Sequence, residues 1–171
     1  MKQELVYKTI NERKLNLTFL HPIVKKYEKA PLLFLITGGG WHYAVREDMI
    51  NFPAVPAQEL RESGFAIVSI DYRTVNDDKA VMEEILADCN DALEFVINNS
   101  DKLGIDKERI VVAGHSAGAH LSLMVAYKKH SNCKISAVVS FSAPTILYRI
   151  DTHNLRDIDE VFKTDPLQNG A

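Results

Sequence analysis

Ser116 stands between two glycines in the stretch VVAGHSAGAH, residues 111–120. A serine hydroxyl is a weak nucleophile unless its setting lifts it out and a base takes its proton. The apolar run RIVVAG (109–114) reads as a buried strand, and AGAHLSLMVAYKKH (117–130) reads as a helix. A serine at the apex of such a strand–turn–helix junction must take a strained backbone conformation to present its Oγ. Side chains two positions before and two after would then collide, so Gly114 and Gly118 have a mechanical reason to be there. The helix start also points free N–H groups at any negative charge that develops beside Ser116.

A second glycine cluster follows another apolar run, in LLFLITGGGWHY (32–43). A dinucleotide fingerprint counted from Gly38 needs glycine at its sixth position, where Tyr43 stands. A phosphate-binding P-loop fails as well, for want of Gly-Lys-Ser/Thr. Glycines that let backbone N–H groups approach a reacting carbonyl describe an oxyanion hole instead. Gly39, Gly40 and the N–H of Ala117 are the candidate donors, with Gly38 shaping the loop.

The elements that must hold these residues alternate. LVYKTI (5–10) and KLNLTFLHP (14–22) read as two early strands, a hairpin across NER. PLLFLIT (31–37) and FAIVSIDYR (65–73) are continuous apolar strands, buried on both faces. VPAQELRESG (55–64) reads as a helix closed by Gly64. From Asp77 to Leu103, Val81, Ile85, Cys89, Ala92, Leu93, Val96 and Ile97 recur at helical steps, which predicts one long amphipathic helix closed near Gly104. KISAVVSFSAP (134–144) is a last strand. Alternating strands and helices predict an α/β fold, a mostly parallel sheet with helices on both faces.

TGGGW, SIDYR and GHSAGAH, in this order, resemble the α/β-hydrolase fold. More narrowly, they are similar to the esterase and lipase group around hormone-sensitive lipase and the feruloyl-esterase-like carboxylesterases. The resemblance covers roughly residues 5–144. It implies a serine hydrolase of small carboxylic esters, working through an acyl-enzyme on Ser116, with no cofactor and no metal. An amidase, formamidase or peptidase of the same fold is the alternative within that chemistry, and a catalytically dead fragment or remnant is the alternative outside it. Asp71, Tyr72 and Arg73 match the family's DYR loop near the site rim, a structural role. The family has His before the three glycines, where this chain has Thr37.

In this fold the acid and then the histidine base follow the nucleophile in chain order. The resemblance therefore implies a fold truncated after the sixth strand, with residues 145–171 as a lid-like or connecting segment. His21 is expected at the surface and His42 near the cleft. His115 is expected to turn away from Oγ, His120 to be packed, and His130 to sit at a helix C-terminus. His153, beside Asp151, is the remaining candidate base, although acid and base in this fold arrive on different loops. Without a base, little turnover is expected.

The 171 residues carry a net charge of −3 and no basic stripe, which argues against a nucleic-acid partner. The longest apolar run is too short to span a bilayer, and the N-terminus has no signal-peptide core, so a cytoplasmic, non-membrane protein is expected. Cys89 and Cys133 have no metal spacing and are read as reduced thiols. ISAVVSFSA is expected to be an exposed sheet edge through which the chain could form a homodimer.

Overall fold

The computed structural model describes residues 1–145. Six strands form one sheet in the order β1-β2-β4-β3-β5-β6. β1 (Lys2–Ile10) and β2 (Arg13–Leu20) make the expected antiparallel hairpin. Its turn is carried by Asn11 and Glu12, both at positive φ. β2 runs antiparallel to β4 (Ala66–Ile70). β4, β3 (Ala30–Ile36), β5 (Ile105–His115) and β6 (Ile135–Phe141) are mutually parallel.

β3 sits at the centre with β4 on one side and β5 on the other, and all seven of its residues are buried. That is why its sequence is apolar without alternation. Phe34, Leu32 and Ile36 face one cluster, which includes Ile85, Cys89, Leu93, Leu121 and Val125. Leu33 and Leu35 face a smaller cluster with Met49, Val55 and Ile67. Helices therefore cover both faces, as expected. On the smaller side lie α1 (Arg46–Ile50) and α2 (Ala57–Glu62), with Gly64 at φ +94° just beyond α2.

The long helix expected from Asp77 to Leu103 is three helices. α3 (Val75–Asp78) is capped by the Thr74 hydroxyl and stops at Lys79, which is left-handed. α4 (Met82–Asn98) starts afresh, with the Glu84 carboxylate accepting the Val81 N–H at 3.1 Å. The Asn99 side chain takes the Phe95 carbonyl, and the short α5 (Ser100–Leu103) ends at left-handed Gly104. Hydrophobic period alone could not show these breaks, because local side-chain caps make them. α6 (Ala117–Tyr127) also ends three residues before the expected boundary, because Lys128 is extended. His130 Nε2 then reaches back to the Val125 carbonyl oxygen at 2.8 Å.

Among the described residues, β1 and β6 are the two edges of the sheet. β1 carries Lys2, Glu4 and Lys8, whereas β6 has no charged residue and leaves Val139 40% exposed. Among the described residues, no helix is long and apolar enough to cross a membrane.

Candidate active site

Ser116 lies between the end of β5 and the start of α6, with φ +54° and ψ −123°. A non-glycine residue at positive φ is strained, so the surrounding structure must hold it there. Its N–H donates to the Phe141 carbonyl at the end of β6 (2.8 Å), and its own carbonyl accepts from Ala119 and His120 N–H. The expected conformation at Ser116 is present. The reason for the flanking glycines can be measured. A Cβ on Gly114 would lie 2.2 Å from the Gly118 carbonyl oxygen, and one on Gly118 would lie 2.2 Å from the Ile36 carbonyl oxygen. The first contact is the collision expected across the turn. The second is with β3, and it presses the start of α6 against the strand that leads into the glycine loop.

That loop follows β3, and β3 pairs with β5 so that Ile36 stands opposite Gly114. The two glycine-bearing turns are thereby neighbours. A Cβ on Gly38 would meet the His115 carbonyl oxygen at 2.7 Å and Ser116 Cβ at 3.3 Å. Gly39, Gly40 and Trp41 all have positive φ. The Gly39 carbonyl accepts the N–H groups of His42 (3.0 Å) and Tyr43 (3.3 Å), which makes a tight turn. Ala117 is the first residue of α6, and a first-turn N–H has no acceptor within its own helix. Beside Ser116 is an open cleft of about 290 Å³, lined by the glycine loop, Tyr43, Asp48, Met49, Phe52 and His115.

The histidines are spread out. His115 stacks on Phe52 with ring centroids 4.7 Å apart. It also forms part of the cleft wall. His120 is buried edge-on to Trp41, and burial lowers its pKa. His42 is not among the cleft-lining residues, and its Nδ1 lies 3.2 Å from Asn76 Oδ1. His21 packs edge-on to Phe19, far down the sheet at the end of β2. His153, Asp151 and the whole lid-like segment bar Thr145 lie outside the described residues. Among the described residues, no cluster of His, Cys, Asp or Glu could hold a metal ion.

The DYR residues tie the rim together. Asp71 accepts from Arg46 Nη1 at 2.7 Å, and Arg46 also reaches Thr18 (3.0 Å) and Glu4 (2.6 Å). The Ser69 hydroxyl donates to the Arg46 carbonyl at 2.6 Å. Arg73 and Lys8 converge on the fully buried Asp88 at 2.8 and 2.7 Å. Hydrogen bonding to Asp88 raises the Arg73 pKa and outweighs the cost of burial. Tyr72 is fully buried, and its hydroxyl donates to the Thr37 carbonyl at 2.9 Å. Sequence reading missed α1, which supplies Asp48 and Met49 to the cleft and Arg46 to the rim. Its only advance sign is the pair Glu47 and Asp48, acidic residues suited to a first helical turn.

Comparison with known proteins gives a consistent picture. The BD-FAE family model matches residues 19–167. A probable isoprenylcysteine alpha-carbonyl methylesterase from Oryza sativa subsp. japonica is 33% identical over 92 residues, which are 54% of this chain and 20% of that protein. Esterase LipC of Mycobacterium tuberculosis is 36% identical over 95 residues, 56% of this chain and 22% of that protein. The chain thus spans only about a fifth of the length of these curated relatives. Among solved structures, a propionate-bound thermophilic esterase from Thermogutta terrifontis superposes with a TM-score of 0.77 at 22% identity, covering 96% of this chain and 63% of that one. The same esterase phosphorylated by paraoxon superposes with a TM-score of 0.74 at 22% identity, covering 87% and 60%.

Proposed function

The chain belongs to the BD-FAE family and has the α/β-hydrolase fold of the esterases, and we propose that its described residues form the nucleophile and oxyanion-binding part of a site that hydrolyses small carboxylic esters. Ser116 Oγ attacks the ester carbonyl carbon. The carbonyl oxygen gains the negative charge and is met by N–H groups of Gly39, Gly40 and Ala117. The tetrahedral intermediate collapses, the alcohol leaves, and the acyl group stays on Ser116 until water removes it. Donors set in advance toward that oxygen are worth about 3 kcal/mol each in a dry site. A proton must leave Ser116 for a base, and His153 with Asp151 is the pair within this sequence that could follow the nucleophile in chain order. The cleft is at the small end of ligand pockets, which suits short acyl and alcohol groups.

The observation that carries this reading is the strained Ser116 backbone with the glycine loop pressed against it. The esterase names of the relatives support it. The test is labelling by diethyl p-nitrophenyl phosphate, followed by peptide mass spectrometry. Ser116 should be modified faster than Ser131, an exposed serine outside the cleft, and Ser116→Ala should remove the fast label. Equal rates at the two serines would end the nucleophile assignment. Turnover of p-nitrophenyl acetate should be weak if no histidine reaches Oγ, because triad members act as a unit. Robust turnover that Ser116→Ala abolishes would make His153→Ala the next variant.

A further inference from the structure

A glycine-rich loop is free to turn its peptide planes either way, so something must choose the direction for an oxyanion hole to exist. A trans peptide points its C=O and its N–H to opposite sides. Whatever holds the carbonyl of one residue therefore aims the N–H of the next. In this loop three successive carbonyls are held. Gly39 C=O is taken by His42 and Tyr43 N–H, so the Gly40 N–H points away from that turn. The carbonyls before it face Tyr72, whose hydroxyl donates to Thr37 O at 2.9 Å with Gly38 O at 3.4 Å. The N–H groups of Gly38 and Gly39 consequently point away from Tyr72 and the core, in a loop that adjoins Ser116 at Gly38.

Tyr72 is in place because β3 and β4 run parallel with Ile36 opposite Ile70. Two residues past the end of β4, Tyr72 comes beside the first residues past the end of β3. Its ring belongs to the main core cluster, so it approaches the loop from beneath. Burial pushes the phenol pKa upward, so the hydroxyl keeps the proton it donates. We propose that Tyr72 is a positioning residue for the oxyanion loop: by holding the Thr37 and Gly38 carbonyls from the core side, it fixes the peptide planes that carry the Gly38 and Gly39 N–H groups and so presents Gly39 N–H to the site, while the turn at the Gly39 carbonyl sets Gly40 N–H. This rests on the reading of Ser116 as nucleophile. It gives the DYR loop a part in the chemistry beyond shaping the rim.

Tyr72→Phe keeps the ring and removes the donor, so it separates positioning from core filling. The readouts are the backbone amide resonances of the 15N-labelled chain and the rate at which diethyl p-nitrophenyl phosphate modifies Ser116. The variant should stay folded, shift or broaden the Gly38 and Gly39 resonances selectively, and slow Ser116 modification about tenfold, less than the roughly hundredfold or more that deleting a donor costs, because the donor is misaimed rather than removed. Unchanged glycine resonances would overturn the proposal. So would shifted resonances with an unchanged modification rate. If the wild type does not label Ser116 selectively, the nucleophile reading fails by itself. The glycine resonances then decide whether Tyr72 sets the loop: a shift upholds that part and no shift overturns it. Should Tyr72→Phe not fold, the wild-type Tyr72 hydroxyl proton is examined instead. A slowly exchanging proton coupled to the Thr37 carbonyl carbon supports the proposal, and a freely exchanging one defeats it.

Discussion

Gly118 faces Thr37 so closely that a Cβ on Gly118 would lie 2.4 Å from the Thr37 carbonyl oxygen. The helix after the elbow and the loop before it are therefore in backbone contact, and no side chain fits between them. Gly118→Ala must move α6 or the glycine loop. We expect a loss of about 1–3 kcal/mol from overpacking, read by urea unfolding, together with slower labelling of Ser116. Gly104→Ala is the control. Nothing lies within 4 Å of a Cβ there, so only its left-handed backbone opposes the change, at about 1 kcal/mol.

Asp88 is the fully buried carboxylate on which Arg73 and Lys8 converge. Asp88→Ala leaves the half-buried Arg73 guanidinium without its main partner. We expect a cost of about 3 kcal/mol or more. The other carboxylate on Arg73, Glu84, has a side chain 44% exposed. Glu84→Ala should cost about 1 kcal/mol, through its bond to the Val81 N–H and a water-screened ion pair. Equal losses in the two variants would show that burial is not what sets the strength of this network.

Acid should weaken the fold through two histidines. Burial is the first cause of the lowered pKa at both His120 and His21. A histidine that is harder to protonate when folded makes the unfolded chain bind more protons below its ordinary pKa near 6.5. Stability is therefore fully present above that pH and declines as pH falls through it. Thermal melts from pH 7.5 to 5.5 should show this decline. It should be shallower in His120→Gln, once that variant's lower baseline stability is subtracted.

The two thiols should react in sequence. Cys89 is fully buried on α4, and burial raises its pKa well above the ordinary value. Cys133 is partly exposed, and burial raises its pKa as well. With a disulfide reagent at pH 8, Cys133 should titrate first. Cys89 should appear only with denaturant, because thiolate character and access both control the rate. Simultaneous reaction in the native protein would contradict the packing of α4.

Much of the candidate site's geometry was legible because its demands fall on residue types. Only glycine tolerates the contacts at 114 and 118, and a strand buried on both faces shows as an uninterrupted apolar run. The order of strands across the sheet is less local. It was the pairing of Ile36 with Gly114 that brought the two glycine turns together. The breaks around α4 were hidden because they depend on single side-chain caps from Thr74, Glu84 and Asn99. α1 was hidden because a five-residue helix has too few turns to show a period. Tyr72 could be placed near the rim from its loop. Its grip on Thr37 needed the register between β3 and β4.

The central place of β3 has a consequence for the chain as it is made. β3 is the third strand to emerge, yet both of its partners, β4 and β5, are encoded after it. Until they arrive, APLLFLI has two open edges and no charge, the kind of segment that pairs with copies of itself. The cations just upstream, Lys25, Lys26 and Lys29, are all exposed in the finished fold. They flank the run where charge best discourages such pairing. The strand that delivers the glycine loop to Ser116 is thus also one that needs protection during synthesis.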